Sequence, residues 1–338
     1  MKKIALVVDK DNWAFANIAK ILKKKLEKYY DIDIIILEFL GGNLTQLFLL
    51  VKDYDLVHFL WREPLYNLTR PFFEEYTYLL GSSKEQFMND YVNFKKISTA
   101  VYDHLFLDEN IKITKFLFSN ISNYYVSSRK LLKIYNNLDI EYKPKMVITD
   151  GVDLEKFYPR NIERFDNLDR TIVIGWVGNS KWSEFGEDTK GLVTILNPAI
   201  EDLKKEGYDI KTNYADSNVK FIPHDEMIDY YSSIDVLICS SMSEGTPNPV
   251  LEAMACGVPI ISTNVGIVSE ALGPYQKKYI LEDRTVECMK NKIKELLNNP
   301  KDFKKLSMEN LKQIKKWSWD EKAKDFKIFF DTCLKEED

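Results

Sequence analysis

The 338-residue chain has few of the residues that bind metals or cross-link proteins. It contains four cysteines and three histidines. None of the cysteines stands in a Cys-x-x-Cys pair, and His58, His104 and His224 are far apart in sequence. Structural metal sites and disulfide frameworks require closer groupings of these residues. We therefore expect reduced thiols, no metal and no cofactor.

Long apolar runs and a strong excess of one charge are also missing. No stretch approaches the ~20 consecutive apolar residues of a membrane-spanning helix. The N-terminal sequence MKKIALVVDKDNW has an apolar run that Asp9 ends too early for a signal peptide. The net charge is −5, and residues 1–160 hold 23 basic against 21 acidic side chains. These features favour a cytoplasmic protein and exclude a nucleic-acid-binding footprint.

Short apolar runs alternate with helical stretches, which is typical of parallel sheets wrapped by helices. The length fits two domains, and the polar stretch 160–170 separates two such series. We predict an α/β fold with two Rossmann-like domains, 1–160 and 161–316, whose parallel sheets face a central cleft. The predicted strands are 4–8, 34–39, 56–59, 97–101, 124–126, 146–148, 172–177, 210–213, 219–222, 236–239, 259–262 and 278–281.

The most informative segment runs from Glu244 through Gly-Thr-Pro-Asn-Pro-Val-Leu to Glu252 and predicts a helix start between two carboxylates. Asn248 is the expected cap, Pro249 suits the first helical position, and Gly257 ends the helix after about two turns. The exposed N–H groups and partial positive charge of a helix start bind phosphate groups. Glu252 has two oxygens that accept hydrogen bonds from the vicinal hydroxyls of a ribose. The segment therefore predicts a nucleotide-sugar site.

A simpler interpretation of the two acids stays open at this stage. Glu252 would only complement the helix dipole, and Glu244 would be a solvated loop residue. Short motifs of this kind also occur without function.

Several segments together resemble the retaining glycosyltransferases of family four, which have the two-domain GT-B fold. The resemblance covers most of the second half of the chain, whereas the first half matches weakly. It implies that residues 317–338 form a helix that returns to the first domain. The matching segments are Asp150-Gly-Val-Asp-Leu-Glu-Lys-Phe-Tyr-Pro, Val219-Lys-Phe-Ile, Tyr230-Tyr-Ser-Ser-Ile-Asp-Val-Leu-Ile-Cys-Ser-Ser, the two-glutamate segment, Gly257-Val-Pro-Ile-Ile-Ser-Thr, Val265-Gly-Ile-Val-Ser-Glu and Trp317-Ser-Trp.

The resemblance also implies roles for single residues of the second domain. Glu244 would hold hydroxyls of the donor sugar, and Glu252 would hold the ribose. The family places an arginine and a lysine near the first strand of this domain; Asn179 stands in the arginine's place, so we assign the two positive charges to Lys181 and Lys190. The implied contacts to the donor nucleotide and diphosphate are Thr246, Pro247, Asn248, Pro249, Val250, Gly178, Asn179, Phe221 and Ile222.

The first domain departs further from the family pattern. The turn after its first strand lacks the usual pair of glycines, and Asn12 and Trp13 are the candidates there. The family has His-Asp after the fourth strand, where this chain has Asp103 followed by His104. Either residue is expected near the reacting sugar. The simpler interpretation is that His104 only hydrogen-bonds its neighbours.

The resemblance implies a retaining, metal-independent transfer from a nucleoside diphosphate sugar, with UDP preferred and GDP second. The acceptor would be a glycan, a lipid-linked sugar or another glycoconjugate. A second interpretation is a non-catalytic partner subunit that binds a nucleotide sugar or glycan. A dinucleotide oxidoreductase does not fit, because Gly175-Trp-Val-Gly178 lacks the G-x-G-x-x-G fingerprint.

Many aromatic residues lie between positions 61 and 94. We expect a helical excursion that packs on its own domain. An acceptor pocket or a peripheral contact with the inner face of the cell membrane is the alternative.

Overall fold

The computed structural model describes residues 1–11, 13–107, 111–184 and 187–335. The chain forms two compact units. Unit 1 comprises Met1–Thr149 together with Lys322–Asp338, and unit 2 comprises Asp150–Glu321. Each unit is built around its own parallel sheet, as predicted for this α/β chain.

The strands and helices follow one another in the alternating order that the sequence predicts. The strands are β1 (Lys2–Val8), β2 (Tyr30–Ile36), β3 (Leu56–Phe59), β4 (Ile97–Val101), β5 (Asn123–Val126), β6 (Met146–Val147), β7 (Ile172–Gly178), β8 (Ser183–Glu184), β9 (Glu187–Asp188), β10 (Ile210–Asp216), β11 (Val236–Cys239) and β12 (Ile260–Ser262). The helices are α1 (Ala14–Leu26), α2 (Leu44–Leu50), α3 (Pro71–Leu79), α4 (Lys84–Asp90), α5 (Ile111–Leu117), α6 (Arg129–Asn137), α7 (Asn197–Lys205), α8 (Met227–Ser233), α9 (Asn248–Ala255), α10 (Val268–Ala271), α11 (Val286–Leu297), α12 (Pro300–Gln313) and α13 (Trp319–Lys335).

The sheet of unit 1 has the strand order β2-β1-β3-β4-β5-β6, and its strands are parallel. Its strands consist mainly of buried apolar residues because helices cover both faces of such a sheet. Helix α1 shows how a helix meets it: Ile18, Leu22 and Leu26 are buried at four-residue spacing, whereas Lys20 and Lys24 are exposed.

Residues from the end of the chain complete the core of unit 1. The aromatic rings of Phe329 and Phe330, in α13, lie 5.8 and 5.3 Å from the ring of His58, which is fully buried in β3. The ring of Tyr125 stacks on the same imidazole at 5.7 Å. Burial lowers the pKa of His58 to about 3, so the ring is neutral. His58 is therefore a core residue.

The second strand begins earlier than predicted. β2 pairs residue by residue with β1, from Lys2 opposite Tyr30 to Val8 opposite Ile36. The predicted strand 34–39 is wrong beyond Ile36, because residues 37–40 form a 3₁₀ turn that Gly41 ends in the left-handed region at φ 59°. The apolar run continues through this turn, so hydrophobicity alone does not reveal where the strand ends.

The sheet of unit 2 has the strand order β10-β7-β11-β12, and β8 pairs with β9 in a small antiparallel hairpin. Two predicted strands are wrong. In residues 219–222, the N–H groups of Val219 and Lys220 donate hydrogen bonds to the backbone oxygen of Asp216, which closes a turn. Val219 and Phe221 are 84% and 71% exposed. Residues 276–279 form a 3₁₀ turn, and only Ile280 makes a bridge, to Ser262.

None of the helices in the described ranges is both long enough and apolar enough to cross a bilayer.

A buried carboxylate in unit 2 holds the N-terminal end of β7. Asp235, 2% exposed, accepts hydrogen bonds from both terminal nitrogens of Arg170, at 2.7 Å each. It also accepts one from the backbone N–H of Val173 at 2.8 Å. Two-point pairing with a guanidinium is the strongest form of such a contact.

Replacing this carboxylate should destabilise unit 2. We expect Asp235→Ala to lower the free energy of unfolding by about 3–5 kcal/mol, because Arg170 and the Val173 amide lose their buried partner. Urea unfolding followed by tryptophan fluorescence measures the change. The control is Asp202→Ala, which removes an exposed pair with Lys205 and should cost less than ~1 kcal/mol. Equal losses in the two variants would contradict this account.

Candidate functional site

Most of the predicted site residues of unit 2 lie in loops that follow its strands. β7 ends at Gly178, the turn after it carries Asn179, and the loop after β11 carries Glu244. Carboxyl ends of parallel strands meet at one edge of a sheet, where ligands of such folds bind.

The structure brings Lys190 and Glu244 together. The Lys190 Nζ atom donates a hydrogen bond to Glu244 Oε1 at 2.6 Å, and the Ser241 hydroxyl donates to the same oxygen at 2.7 Å. The two charged side chains retain 24% and 18% of their exposure. This ion pair is therefore accessible to a ligand, and an arriving anion would compete with Glu244 for the ammonium group.

The turn that carries Lys190 is held by the carboxylate of Asp188. Asp188 Oδ1 accepts a hydrogen bond from the N–H of Gly191, and Oδ2 accepts from the N–H groups of Val193 and Thr194, each at 2.8 Å. The residues 192–196 that follow form a π-helical turn leading into α7. The positive end of this helix is therefore already occupied by a protein carboxylate.

An arginine that the sequence analysis missed joins this turn to the loop after β11. Arg284 Nε donates to the backbone oxygen of Ser240 at 2.9 Å, and its Nη2 donates to the backbone oxygen of Asp188 at 2.5 Å. Gly191 has φ 69°, and a Cβ atom on it would lie 2.3 Å from the Ser240 oxygen. Glycine is thus required directly after Lys190, because only glycine allows the two loops to approach so closely.

Helix α9 begins differently from the prediction. Asn248 is its first residue and Pro247 precedes it, so the predicted cap is wrong; among the described residues, no side chain caps this helix. Asn248 Oδ1 is instead buried without a hydrogen-bond partner among the described residues. The predicted end is confirmed, since Gly257 has φ 73° and the N–H groups of Gly257 and Val258 bond to the carbonyls of Met254 and Ala253.

The start of α9 has few free backbone donors. Pro247 and Pro249 have no N–H, and the N–H of Val250 donates to the Pro247 oxygen at 2.9 Å. Within residues 246–250, at most the N–H groups of Thr246 and Asn248 remain for a ligand. The hydroxyl of Thr246 accepts a hydrogen bond from the N–H of Asp150 at 3.4 Å.

Glu252 lies in the second turn of α9, and both of its oxygens accept hydrogen bonds. Tyr231 donates to Oε2 at 2.7 Å, and His224 Nε2 lies 2.9 Å from Oε1. Burial and the nearby carboxylate raise the pKa of Tyr231 well above its usual value, so its hydroxyl is a permanent donor. The side chain of Glu252 is 12% exposed. This carboxylate is therefore held in one orientation. A glutamate that only complemented the helix dipole would not need such fixed hydrogen-bond partners.

The turn after β7 gathers a separate group of predicted residues. Asn179 Oδ1 accepts hydrogen bonds from the Lys181 backbone N–H, at 2.9 Å, and from the side chain of Asn218. The backbone oxygen of Gly178 accepts from the N–H of Ser217 at 3.0 Å. The Lys181 side chain is exposed, in contrast to that of Lys190. Of the remaining predicted contacts in unit 2, Phe221 is exposed and Ile222 packs on the core.

In unit 1, Asp103 and His104 follow β4 as predicted. Asp103 Oδ1 accepts a hydrogen bond at 2.7 Å from Arg62, whose side chain is only 1% exposed. Burial lowers the pKa of His104, which favours the neutral ring. Trp13 is 52% exposed and lies under the ammonium group of Lys10 at 4.5 Å. Asn12 lies outside the described residues.

Five residues that shape these sites were not predicted from the sequence. An aspartate shortly before a helix is a capping signal, so Asp188 was detectable from sequence. The other four residues act through contacts between distant positions, such as His224 and Glu252, which are 28 positions apart. These four are Arg62, His224, Tyr231 and Arg284. Sequence spacing carries no signal for such contacts.

Part of unit 2 is similar to a known protein family. Residues 202–314 match the family model described as glycosyl transferases group 1. An uncharacterized glycosyltransferase of Methanocaldococcus jannaschii is 31% identical over 206 residues, which are 55% of this chain and 54% of that protein. A putative teichuronic acid biosynthesis glycosyltransferase of Bacillus subtilis is 42% identical over 55 residues, covering 16% of this chain and 14% of that protein. The chain thus spans about half, or less, of the length of these relatives.

A solved structure agrees with the fold over nearly the whole chain. HepE of Anabaena, in complex with UDP and glucose, superimposes with a TM-score of 0.68 at 13% identity, covering 98% of this chain and 100% of that one. At this identity the likeness shows the fold alone. The fold is the predicted GT-B type. The family match of residues 202–314 and the related sequences therefore show similarity to the glycosyl transferases group 1.

Proposed function

We propose that this protein is a glycosyltransferase that moves a sugar from a nucleoside diphosphate sugar to a carbohydrate or lipid-linked acceptor, without a metal and with retention of anomeric configuration. The observation that carries the proposal is the accessible ion pair between Lys190 and Glu244, with 2.6 Å between Nζ and Oε1. Glu244 lies four residues before the start of α9. It offers a cation for a diphosphate and a carboxylate for sugar hydroxyls within one loop system.

The chemistry depends on charge that develops on the leaving group. As the anomeric bond breaks, the diphosphate gains negative charge, and a preorganised cation lowers the energy of that state. In the proposed complex the diphosphate takes the Lys190 ammonium, and Glu244 turns to the donor sugar. Because prolines remove two N–H groups from the start of α9, Lys190 supplies more of this stabilisation than the helix does. Lys181 would add a second charge from its exposed position.

Retention follows if the departing phosphate oxygen takes the acceptor proton on the face that it leaves. No separate protein base is then needed, so Asp103 and His104 would position the sugar. Both lie beside the buried guanidinium of Arg62, which fixes Asp103.

The proposed donor base is uracil, with guanine second. The HepE complex with UDP and glucose supports UDP, since that chain has the same fold. Phe221 and Ile222 are the proposed neighbours of the nucleotide, and Glu252 is the proposed acceptor of hydrogen bonds from the ribose.

The proposed acceptor belongs to a surface polysaccharide or another glycoconjugate. The relative in Bacillus subtilis is named for teichuronic acid biosynthesis, which supports this class. Phe72, Tyr76 and Leu79 share one exposed face of α3 and are 40%, 41% and 72% exposed. We propose this face for acceptor binding or for peripheral contact with the inner surface of the membrane, in a cytoplasmic protein.

Removing the Lys190 charge should slow the transfer step. We expect Lys190→Ala to lower kcat at least ~10-fold, because one preorganised donor to the leaving group is lost. Donor hydrolysis and transfer are measured with radiolabelled UDP-glucose and a panel of free and lipid-linked acceptors. The control is Lys211→Ala, an exposed lysine of β10, which should keep the original rate. Unchanged rates in Lys190→Ala would contradict the assignment.

Removing one acceptor oxygen from Glu252 should weaken donor binding more than the chemical step. We expect Glu252→Gln to raise the Kd for UDP about tenfold, as expected for one lost hydrogen bond to a charged group. Calorimetry with UDP and GDP measures binding, and Glu201→Gln on the exposed face of α7 is the control. Binding by the original protein without any turnover would favour the non-catalytic partner subunit instead.

One reaction tests both remaining features of the proposed chemistry. With excess EDTA present, we expect an unchanged rate, because lysine charges replace a metal at the diphosphate. Proton NMR of the product should show the anomeric configuration of the donor. Loss of activity that Mg²⁺ or Mn²⁺ restores would contradict metal independence, and an inverted product would contradict retention.

A further inference from the structure

Four side chains of unit 2 form a hydrogen-bonded network around the carboxylate of Glu252. Lys156 Nζ lies 2.8 Å from His224 Nδ1, and His224 Nε2 lies 2.9 Å from Glu252 Oε1. Tyr231 contacts the other oxygen at 2.7 Å. Neither Lys156 nor His224 has a role in the function proposed above.

The lysine determines which nitrogen of His224 carries the proton. An ammonium group donates hydrogen bonds and accepts none, so Nδ1 must be the acceptor from Lys156. In the neutral ring the proton is then on Nε2, which donates to Glu252. Lys156 therefore makes His224 a hydrogen-bond donor directed at the carboxylate.

Neighbouring residues hold both members of this pair in place. The backbone of residues 153–157 forms a turn in which the Asp153 carboxylate accepts from the N–H groups of Glu155 and Lys156. The ring of Phe157 packs against the His224 imidazole at 5.3 Å and against Tyr231 at 5.9 Å. Lys156 also pairs with the exposed Asp225 at 2.6 Å.

The two donors leave Glu252 with a defined capacity for further hydrogen bonds. A carboxylate oxygen has two lone pairs, and His224 and Tyr231 each occupy one lone pair on a different oxygen. Among the contacts of the described residues, each oxygen thus keeps one lone pair. Two adjacent acceptors in fixed orientation match a vicinal diol, which presents two donors.

We propose that His224, oriented by Lys156, is a positioning residue that fixes the Glu252 carboxylate for the 2′- and 3′-hydroxyls of the donor ribose. The inference rests on the proposed function, since it concerns the same nucleotide site. Without His224 the carboxylate rotates about its last side-chain bond and holds the diol at one point instead of two. The energetic effect of His224 therefore depends on the two hydroxyl groups.

The experiment compares UDP with 2′,3′-dideoxyuridine diphosphate, which lacks both hydroxyls, in calorimetric titrations of the full chain. We expect His224→Ala to weaken UDP binding about tenfold, as for a lost hydrogen bond to a charged group, and to change binding of the dideoxy compound less than about twofold. His224→Gln places an amide N–H near the former Nε2 and should recover most of the UDP affinity. If GDP is the tighter ligand of the original protein, GDP and its dideoxy analogue replace the uridine pair.

Two further variants separate positioning from a general effect on folding. Lys156→Gln removes the charge that fixes the tautomer and should weaken UDP binding in the same selective way, by about threefold, a fraction of a full hydrogen bond. Lys211→Gln is the control, because it removes the charge of an exposed lysine of β10; its affinities should not change. These variants also keep the test valid if His224→Ala does not fold.

Several outcomes would overturn the inference. Equal losses for UDP and the dideoxy compound in the His224 and Lys156 variants would show a role unrelated to the ribose. Unchanged UDP affinity in both variants would show that Glu252 needs no positioning. Binding of neither UDP nor GDP by the original protein would contradict the proposed function itself, and the inference with it.

Discussion

The carboxylate of Asp188 holds the turn on which Lys190 lies, and the proposed donor site of unit 2 depends on that contact. Three backbone N–H groups converge on this carboxylate. Arg284 then ties the same turn to the loop after β11, so that Lys190 meets Glu244. A protein anion fills the helix start after Gly191, whereas no side chain caps α9. Since one helix start is closed by its own carboxylate, the proposed diphosphate site is left with Lys190 and the start of α9.

The two carboxylates of the two-glutamate segment are held by different means. Glu244 is paired with an accessible ammonium for which the proposed diphosphate would compete. Glu252 is held by an imidazole and a phenol, which a neutral ribose would not displace. The ion pair of Glu244 suits a site for a leaving group that gains charge during a reaction. The fixed carboxylate of Glu252 suits recognition of a group whose charge stays constant, such as a ribose. This difference in partners fits the separate roles proposed for the two glutamates, which are only eight residues apart.

Much of the fold was predictable from sequence because buried parallel strands are short apolar runs. β3, β4 and β11 have the predicted bounds. The errors arose where apolar residues leave the sheet: residues 37–40 turn into a 3₁₀ helix, and residues 219–222 pair with no strand in the part of the chain that the structure describes. The local prediction at α9 failed because Pro247 stands where a side-chain cap would, and sequence preference placed Asn248 there. Contacts such as Lys156 with His224 bring together residues 68 positions apart, which no local pattern encodes.

Unit 1 is discontinuous in sequence, because Asp150–Glu321 lies between its two parts. Its last part supplies Phe326, Phe329 and Phe330, which are fully buried against core residues such as His58 and Tyr125. During synthesis from the N-terminus, the first 149 residues therefore leave the ribosome with an uncovered apolar surface. That surface stays open until the whole of unit 2 has been made. Unit 2 has a continuous sequence and can complete its core first, which makes the first-synthesised unit the last to become fully folded.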